Sequence, residues 1–350
     1  MFGGAFQNKT VWLSGHTGFK GSWLAEWLLS LGAKVHGYAL TPPTNPALFD
    51  QLGLASRMEH QIADVRDAAA VRASILAAQP DFVFHLAAQP LVRPSYESPL
   101  ETYATNVMGT AHVLDALRGL EKPCAAVMVT TDKCYENREW LHGYREEDPL
   151  GGYDPYSSSK AAAEIAIASW RRAFFGKSPV RIASARAGNV IGGGDWALDR
   201  IVPDCIRALR AGQPIGIRNP KATRPWQHVL EPLSGYLWLA ALLAKDAHLA
   251  TAFNFGPGLD SNRTVRDVVE QLLTHWPGEW RDESTPGSLH EASLLFLATD
   301  KAHHLLKWQP VWDFNETIRR TVQGYRVGEI RAQIADYTTA AKTRGIAWAQ

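Results

Sequence analysis

A chain of 350 residues, 46% of them hydrophobic, is long enough to bury a full core without staples, and its 20% of charged residues excludes a disordered or fibrous protein. Lys and Arg number 36 against 35 Asp and Glu, so no overall field draws the molecule to nucleic acid or an anionic membrane, and any anion has to be bound locally. Cys124, Cys134 and Cys205 form an odd set with no paired metal spacing, and Met1 to Thr10 lacks the regions of a secretory signal; both features point to a reducing cytoplasm and to no metal.

Thr10 to Ser14 is a short apolar run, followed by a glycine-rich turn, then by apolar residues at helical spacing from Ser22 to Leu31, then by a second apolar run from Ala33 to Leu40. The alternation predicts a strand, a helix and a strand. It recurs at Asp81 to Leu86, Ala125 to Thr130 and Val180 to Ala185, each run preceded by a helix-like stretch. The expected fold is α/β, a doubly wound parallel sheet of the Rossmann type. Tyr236 to Ala244 is far shorter than the roughly 20 residues of a bilayer span and reads as a buried helix.

Beyond Gly188 the texture changes to Gly, Pro, Asn and Trp-rich loops, which predicts a smaller mixed α/β C-terminal lobe. Residues 1–188 are expected to form the dinucleotide-binding domain, which also receives segments near 227–257. Residues 189–350 are expected to form mainly a discontinuous substrate lobe.

Gly15, Gly18 and Gly21 stand in GHTGFKG, directly after the first strand and opening the first helix. That position suits a pyrophosphate, because glycine lets backbone approach closely and a helix N-terminus offers unpaired amides. His16, Thr17, Phe19 and Lys20 complete the turn. The acid that usually holds the adenosine ribose about 20 residues further on is replaced by Thr41, and no Arg lies beside it. NAD and NADP both stay open on this pattern. Asp64, with Val65, ends the third strand position, either to address the adenine edge or to cap the next helix.

Tyr156 and Lys160 lie four residues apart in YSSSK at the start of a helix-like segment, so both share one face. An adjacent ammonium and a bound nicotinamide cation would favour the phenolate and let Tyr156 accept a hydroxyl proton. Thr130, Thr131, Asp132 and Lys133 follow the fourth apolar run, on the ligand side of a parallel sheet. A hydroxyl, a carboxyl and an ammonium in succession suit a second proton transfer.

GHTGFKG, HLAAQP (His85 to Pro90), TTDKCY and YSSSK together resemble the extended short-chain dehydrogenases acting on nucleotide sugars. Within that group DKCYENREW, GGYDPYS, AGNVIGGGDW and RPWQHVLEPLSGY are similar to CDP-glucose 4,6-dehydratases. The resemblance implies a bound nicotinamide cofactor touched by Leu86, Ala87 and Ala88 as well as by the glycine turn. It implies Tyr156 as base, Lys160 on the nicotinamide ribose, Thr131 on the sugar 4-oxygen and Asp132 as acid for the departing 6-hydroxyl. Lys133 stands where dTDP-glucose relatives have a Glu, which leaves the carbon 5 base open. For the nucleotide sugar the resemblance implies Gln89, Arg93, Asn189, Arg224, Trp226, Gln227, His228 and, in GSLHEASLL, His290.

Thr105 to Leu117 and Ala161 to Phe175 carry apolar residues over more than one stripe, so a homodimer through a four-helix interface is expected. A 4,6-dehydratase for another nucleotide and a 4-epimerase share most of these features. Asp132 with Lys133 favours dehydration, because epimerisation needs no acid for a 6-hydroxyl. A catalytically silent NAD(P)-sensing protein would have no use for Tyr156, Lys160 and Asp132 together.

Overall fold

The computed structural model describes residues 1–284 and 294–350. Its first half alternates strands and helices: β1 (Thr10–Ser14), α1 (Phe19–Ser30), β2 (Lys34–Ala39), β3 (Glu59–Ile62), α2 (Ala68–Ala78), β4 (Phe82–His85), α3 (Gly109–Leu117), β5 (Cys124–Val129), α4 (Pro155–Phe174) and β6 (Val180–Ala187). β4 and β5 are buried at every position, which is why FVFH and CAAVMV read as unbroken apolar runs. The second half supplies β7 (Val190–Ile191), α5 (Ile201–Arg210), β8 (Ile215–Ile217), β9 (Thr223–Pro225), β10 (Gln227–His228) and α6 (Leu230–Leu243). It ends with β11 (Ala252–Phe255), β12 (Asn262–Thr264), α7 (Val265–Leu273), β13 (Trp280–Asp282), α8 (Phe314–Arg326) and α9 (Ile330–Thr343).

Seven strands form one parallel sheet in the order β11-β6-β5-β4-β1-β2-β3, the doubly wound arrangement that the sequence predicts. The order reverses between β1 and β4, and ligands of such sheets bind beyond the carboxyl ends of the strands at that point. β11 enters from beyond Gly188 and sets Ala252 opposite Ser184 of β6. Three two-stranded pairings, β10-β7, β12-β9 and β13-β8, lie outside the main sheet.

Hydrophobic packing covers both faces of the sheet. On one face α1, α6 and the C-terminal segment bury Trp23, Trp27, Leu237, Tyr337 and Trp348. On the other, α2, α3 and α4 close over Trp12, Tyr38, Val83, Leu114 and Ile167. A separate cluster of Ile206, Ile217, Val268 and Phe314 holds the elements outside the sheet together. α6 is buried around nearly its whole circumference, as its apolar window requires; each fully buried Leu there contributes about 1.5–3 kcal/mol. Among the described residues no helix is long and apolar enough to cross a membrane.

The helix expected over Thr105 to Leu117 is not uniform, because Ala104–Met108 forms a wider π turn before α3 begins. Within that turn the buried Asn106 amide donates to the Gln89 carbonyl (3.1 Å) and to Ser159 Oγ (2.9 Å), tying the segment after β4 to α4. Such π insertions often occur where a side chain has to serve a site.

The loop that follows β7 is pressed against α8 with no room for side chains. A Cβ on Gly193 would stand 2.6 Å from the Gly324 backbone. Gly193→Ala is therefore expected to lower stability by about 1–3 kcal/mol through overpacking. Urea unfolding checks this: the midpoint should fall with little change of slope, and an unaltered midpoint would contradict the close approach.

Candidate active site

A cleft of about 1690 Å³ opens at the carboxyl ends of the strands. That exceeds the roughly 300–1,000 Å³ typical of one small-molecule site, so there is room for a dinucleotide and a second nucleotide together. Its walls include Gly15, Thr17, Gly18, Phe19, Lys20, Gly21, Leu86, Ala87 and Ala88. Asp64, Val65 and Arg66 lie on the side of β3, and Thr131, Lys133, Tyr156, Lys160, Asn189, Arg224 and Trp226 on the side of β5 and β6.

The glycine turn is dictated by backbone crowding. Gly15 has φ +77°, and a Cβ there would meet Ala87 N at 2.8 Å; a Cβ on Gly21 would stand 2.0 Å from the Gly15 carbonyl oxygen. Above Gly18 the space is open, the Gly15 oxygen at 3.5 Å being the one atom within 4 Å of a Cβ. No side chain caps the N-terminus of α1, so its first amides face the cleft. α4, in contrast, is capped by Asp154, which accepts from Ser157 N (2.9 Å) and Ser157 Oγ (2.6 Å).

At the far end Asp67, not Asp64, caps α2 by accepting from Ala70 N at 3.0 Å. Asp64 instead accepts from Arg66 Nη2 (2.6 Å) and Nε (2.8 Å), and this guanidinium holds the carboxyl below its usual range. Arg66 Nη1 also reaches Glu101 at 3.3 Å. No sequence motif singles out Arg66, which the sheet brings to this end of the cleft.

Thr131, Asp132, Tyr156 and Lys160 converge. Thr131 Oγ1 donates to Asp132 Oδ1 at 2.9 Å and is hydrogen-bonded to Tyr156. The expected depression of the Tyr156 pKa by Lys160 is not found: burial pushes the phenol up to about 12, and the opposing influences are Thr131 and the Arg200 cation. Lys160 itself is pushed down to about 8 by burial, with Glu164 and Cys134 opposing. Lys20 is likewise lowered to about 8, by burial and by Arg200 and Lys160. Asp132 does not line the cleft wall; its carboxyl lies behind Gly188, where a Cβ would meet Oδ2 at 2.7 Å. Burial raises its pKa, against Lys133, Thr131 and Arg224, which suits a group that gives up a proton.

Arg200 is the main residue that the sequence gives no signal for. It precedes α5, holds Asp195 at 2.8 Å, lines the cleft and faces Tyr156 and Lys20. Tyr325 Oη of α8 donates to the Asp195 carbonyl at 2.5 Å, so a helix 130 residues further on supports it.

Several expected contacts are corrected by the geometry. The His16 ring is fully buried against Phe49 and His60, and burial lowers its pKa to about 4, so its side chain is absent from the cleft wall. Gln89 is spent on its own segment, donating to Thr102 Oγ1 (2.9 Å) and accepting from Leu91 N (2.6 Å). Gln227 and His228 are buried behind the cleft, the His228 ring lying between Trp23 and Trp312. These polar residues alternate along the short strand β10, and a sequence pattern cannot say which face meets a ligand. Arg93 reaches the cleft, but its Nη1 lies 3.2 Å from Asp199, which also holds Arg218 at 2.7 Å. His290 lies outside the described residues.

The family model described as GDP-mannose 4,6 dehydratase matches residues 13–321. The chain belongs to this dehydratase family. A CDP-glucose 4,6-dehydratase of Salmonella typhimurium is 47% identical over 96% of this chain and 98% of its own length. A dTDP-glucose 4,6-dehydratase of Streptomyces antibioticus is 32% identical over 75% of each chain. Among solved structures, a dTDP-glucose 4,6-dehydratase of Streptomyces venezuelae with NAD bound superposes with a TM-score of 0.78 at 22% identity, covering 90% of this chain and 96% of that one. That likeness concerns the fold.

Because folding disfavours the charged form of Asp132, its raised pKa opposes stability once pH rises above the unfolded value near 3.8. Asp132→Asn should therefore melt at a higher temperature than wild type at pH 8, and the difference should vanish as pH falls below about 4. Thermal melts across pH check it; a variant less stable at pH 8 would show that the neighbouring cations outweigh burial.

Proposed function

We propose that the chain is an NAD-dependent CDP-glucose 4,6-dehydratase that releases CDP-4-dehydro-6-deoxy-D-glucose and water. The observation that carries this is the 47% identity to the Salmonella enzyme over nearly the full length of both chains. Thr131, Tyr156 and Lys160 gathered at one cleft support it, with the Asp132 carboxyl directly behind them and hydrogen-bonded to Thr131. The residues present suit a dinucleotide. The open space above Gly18 and the uncapped N-terminus of α1 would take the pyrophosphate, and Tyr156 with Lys160 would hold the nicotinamide ribose. Arg66, already engaged by Asp64 and Glu101, has its charge met before a 2′-phosphate arrives, which supports NAD over NADP.

When bound, NAD would supply the two-electron chemistry by which a hydride passes from carbon 4 to carbon 6 of the same sugar. Tyr156, whose phenolate the positive charge of a bound nicotinamide would favour together with Arg200, takes the proton of the 4-hydroxyl as that carbon becomes a ketone, and Thr131, hydrogen-bonded to Tyr156, positions the 4-oxygen. The ketone acidifies carbon 5, and we assign to Lys133 on the cleft wall both the removal of that proton and its return to carbon 5 as the hydride reaches carbon 6. Asp132, kept toward its protonated form by burial, gives its proton to the departing 6-hydroxyl. Arg224 and Asn189 are assigned to the substrate's diphosphate side, together with Trp226.

In this reading residues 1–188 with 227–257 form the cofactor body, and most of 189–350 serves the nucleotide sugar. The enzyme works in the cytoplasm as a homodimer. Exposed Leu100, Tyr103 and Met108 beside α3, with Ile165 and Phe174 of α4, would form the four-helix interface.

Incubation with CDP-glucose is expected to build up a 4-keto product absorbing in alkali, and Tyr156→Phe should reduce turnover by about 10²–10⁴-fold. With substrate deuterated at carbon 4, the isotope should appear in the new methyl group. An epimerase would accumulate no ketone, and full activity of the Phe variant would overturn the assignment.

A further inference from the structure

Beneath the cleft, α4 carries a third polar residue in line with the two already described. Tyr156, Lys160 and Glu164 follow one another at four-residue spacing, so they lie on one face, each about one helical turn from the next. Glu164 is 3% exposed, and its carboxylate is fully engaged. Oε1 accepts from Thr130 Oγ1 at 2.5 Å, and Oε2 accepts from Ser184 Oγ and Arg186 Nη2, both at 2.8 Å. Thr130 immediately precedes Thr131 and Asp132, while Ser184 and Arg186 belong to β6. One carboxylate thus joins the helix that carries Tyr156 and Lys160 to the strand end that carries Thr131 and Asp132.

We propose that Glu164 is a positioning residue for the Tyr156 and Lys160 pair, fixing α4 against β5 and β6 and placing a permanent negative charge one turn behind the Lys160 ammonium. The inference rests on the catalytic reading of that pair given above. A salt bridge to Arg186 alone would make Glu164 a structural group. Its charge, however, is the carboxylate that acts on Lys160, favouring the ammonium against a burial that brings the amine down to about 8. The other groups facing Lys160 cannot take its place. Cys134, from the turn after β5, is held as a thiol by burial, His85 of β4 is held neutral with a pKa of about 3, and Lys20 of α1 is a further cation. Arg186, on the far side of Glu164, keeps the carboxylate ionised.

Glu164→Gln removes the charge and keeps the shape. An opposite charge within about 4–6 Å typically moves a pKa by about 1–3. The half-point of Lys160 acetylation against pH, read by peptide mass spectrometry, is therefore expected to fall by about one pH unit. The alkaline limb of CDP-glucose turnover should move down with it. Ser184→Ala, which loses one bond and keeps the charge, should leave both in place. If Glu164→Gln fails to fold because Arg186 is stranded, the double variant Glu164→Gln, Arg186→Gln removes both charges and is expected to shift the half-point in the same direction by a smaller amount. A half-point unmoved in the folded variant overturns the proposal. A half-point that moves in a protein without turnover on CDP-glucose counts against the proposed function and leaves the role of Glu164 standing.

Discussion

Charged groups withdrawn from water beside the strand ends impose the strongest demand on this molecule. Glu164, Arg186, Lys160, Lys20 and Asp132 all lie under or within the cleft, and each would be heavily penalised there if it stood alone. The fold meets the demand by distributing partners over several elements. Glu164 from α4 meets Arg186 from β6, and Arg186 in turn donates to Tyr135 Oη (2.8 Å) and to the Glu146 carbonyl (3.0 Å). Tyr135 passes the connection to Asn254 of β11 at 2.7 Å. Breaking such a pair typically costs about 3–5 kcal/mol, so α4, β6 and β11 are held in a single relation.

Close backbone contact is the second element of the design. Gly15 and Gly21 let the turn after β1 fold on itself beneath the open space above Gly18. Gly193 and Gly324 let α8 reach the loop after β7, where Tyr325 bonds the Asp195 carbonyl and Asp195 holds Arg200. A glycine contact distant from the chemistry thereby places a guanidinium opposite Tyr156. Lys20, Lys160, Arg200 and Arg224 then surround a space suited to two anionic nucleotides, although the chain as a whole is nearly neutral.

Much of this could be read from the residues alone where the relevant physics is local. The strand after Gln79, the GHTGFKG turn and the four-residue step from Tyr156 to Lys160 each announce themselves within a few positions. Local polarity, by contrast, is no guide to ligand contact in this chain. His16 and His228 are polar residues in promising motifs, yet both rings are packed among aromatic neighbours. Arg66 and Arg200 are the opposite case, since nothing adjacent to them in the chain distinguishes them from surface arginines.

The order of apolar runs, the glycines after the first of them and the helical spacing of Tyr156 and Lys160 were enough to dictate a doubly wound sheet and the side on which its ligands bind. Those features depend on backbone sterics and on periodicity, which act over a few residues. The direction in which each polar side chain points, the height of the Tyr156 pKa and the partners of Glu164 and Arg200 emerged from packing between segments up to 130 residues apart. Burial and charge pairing are properties of the assembled neighbourhood, and no stretch of chain carries them by itself.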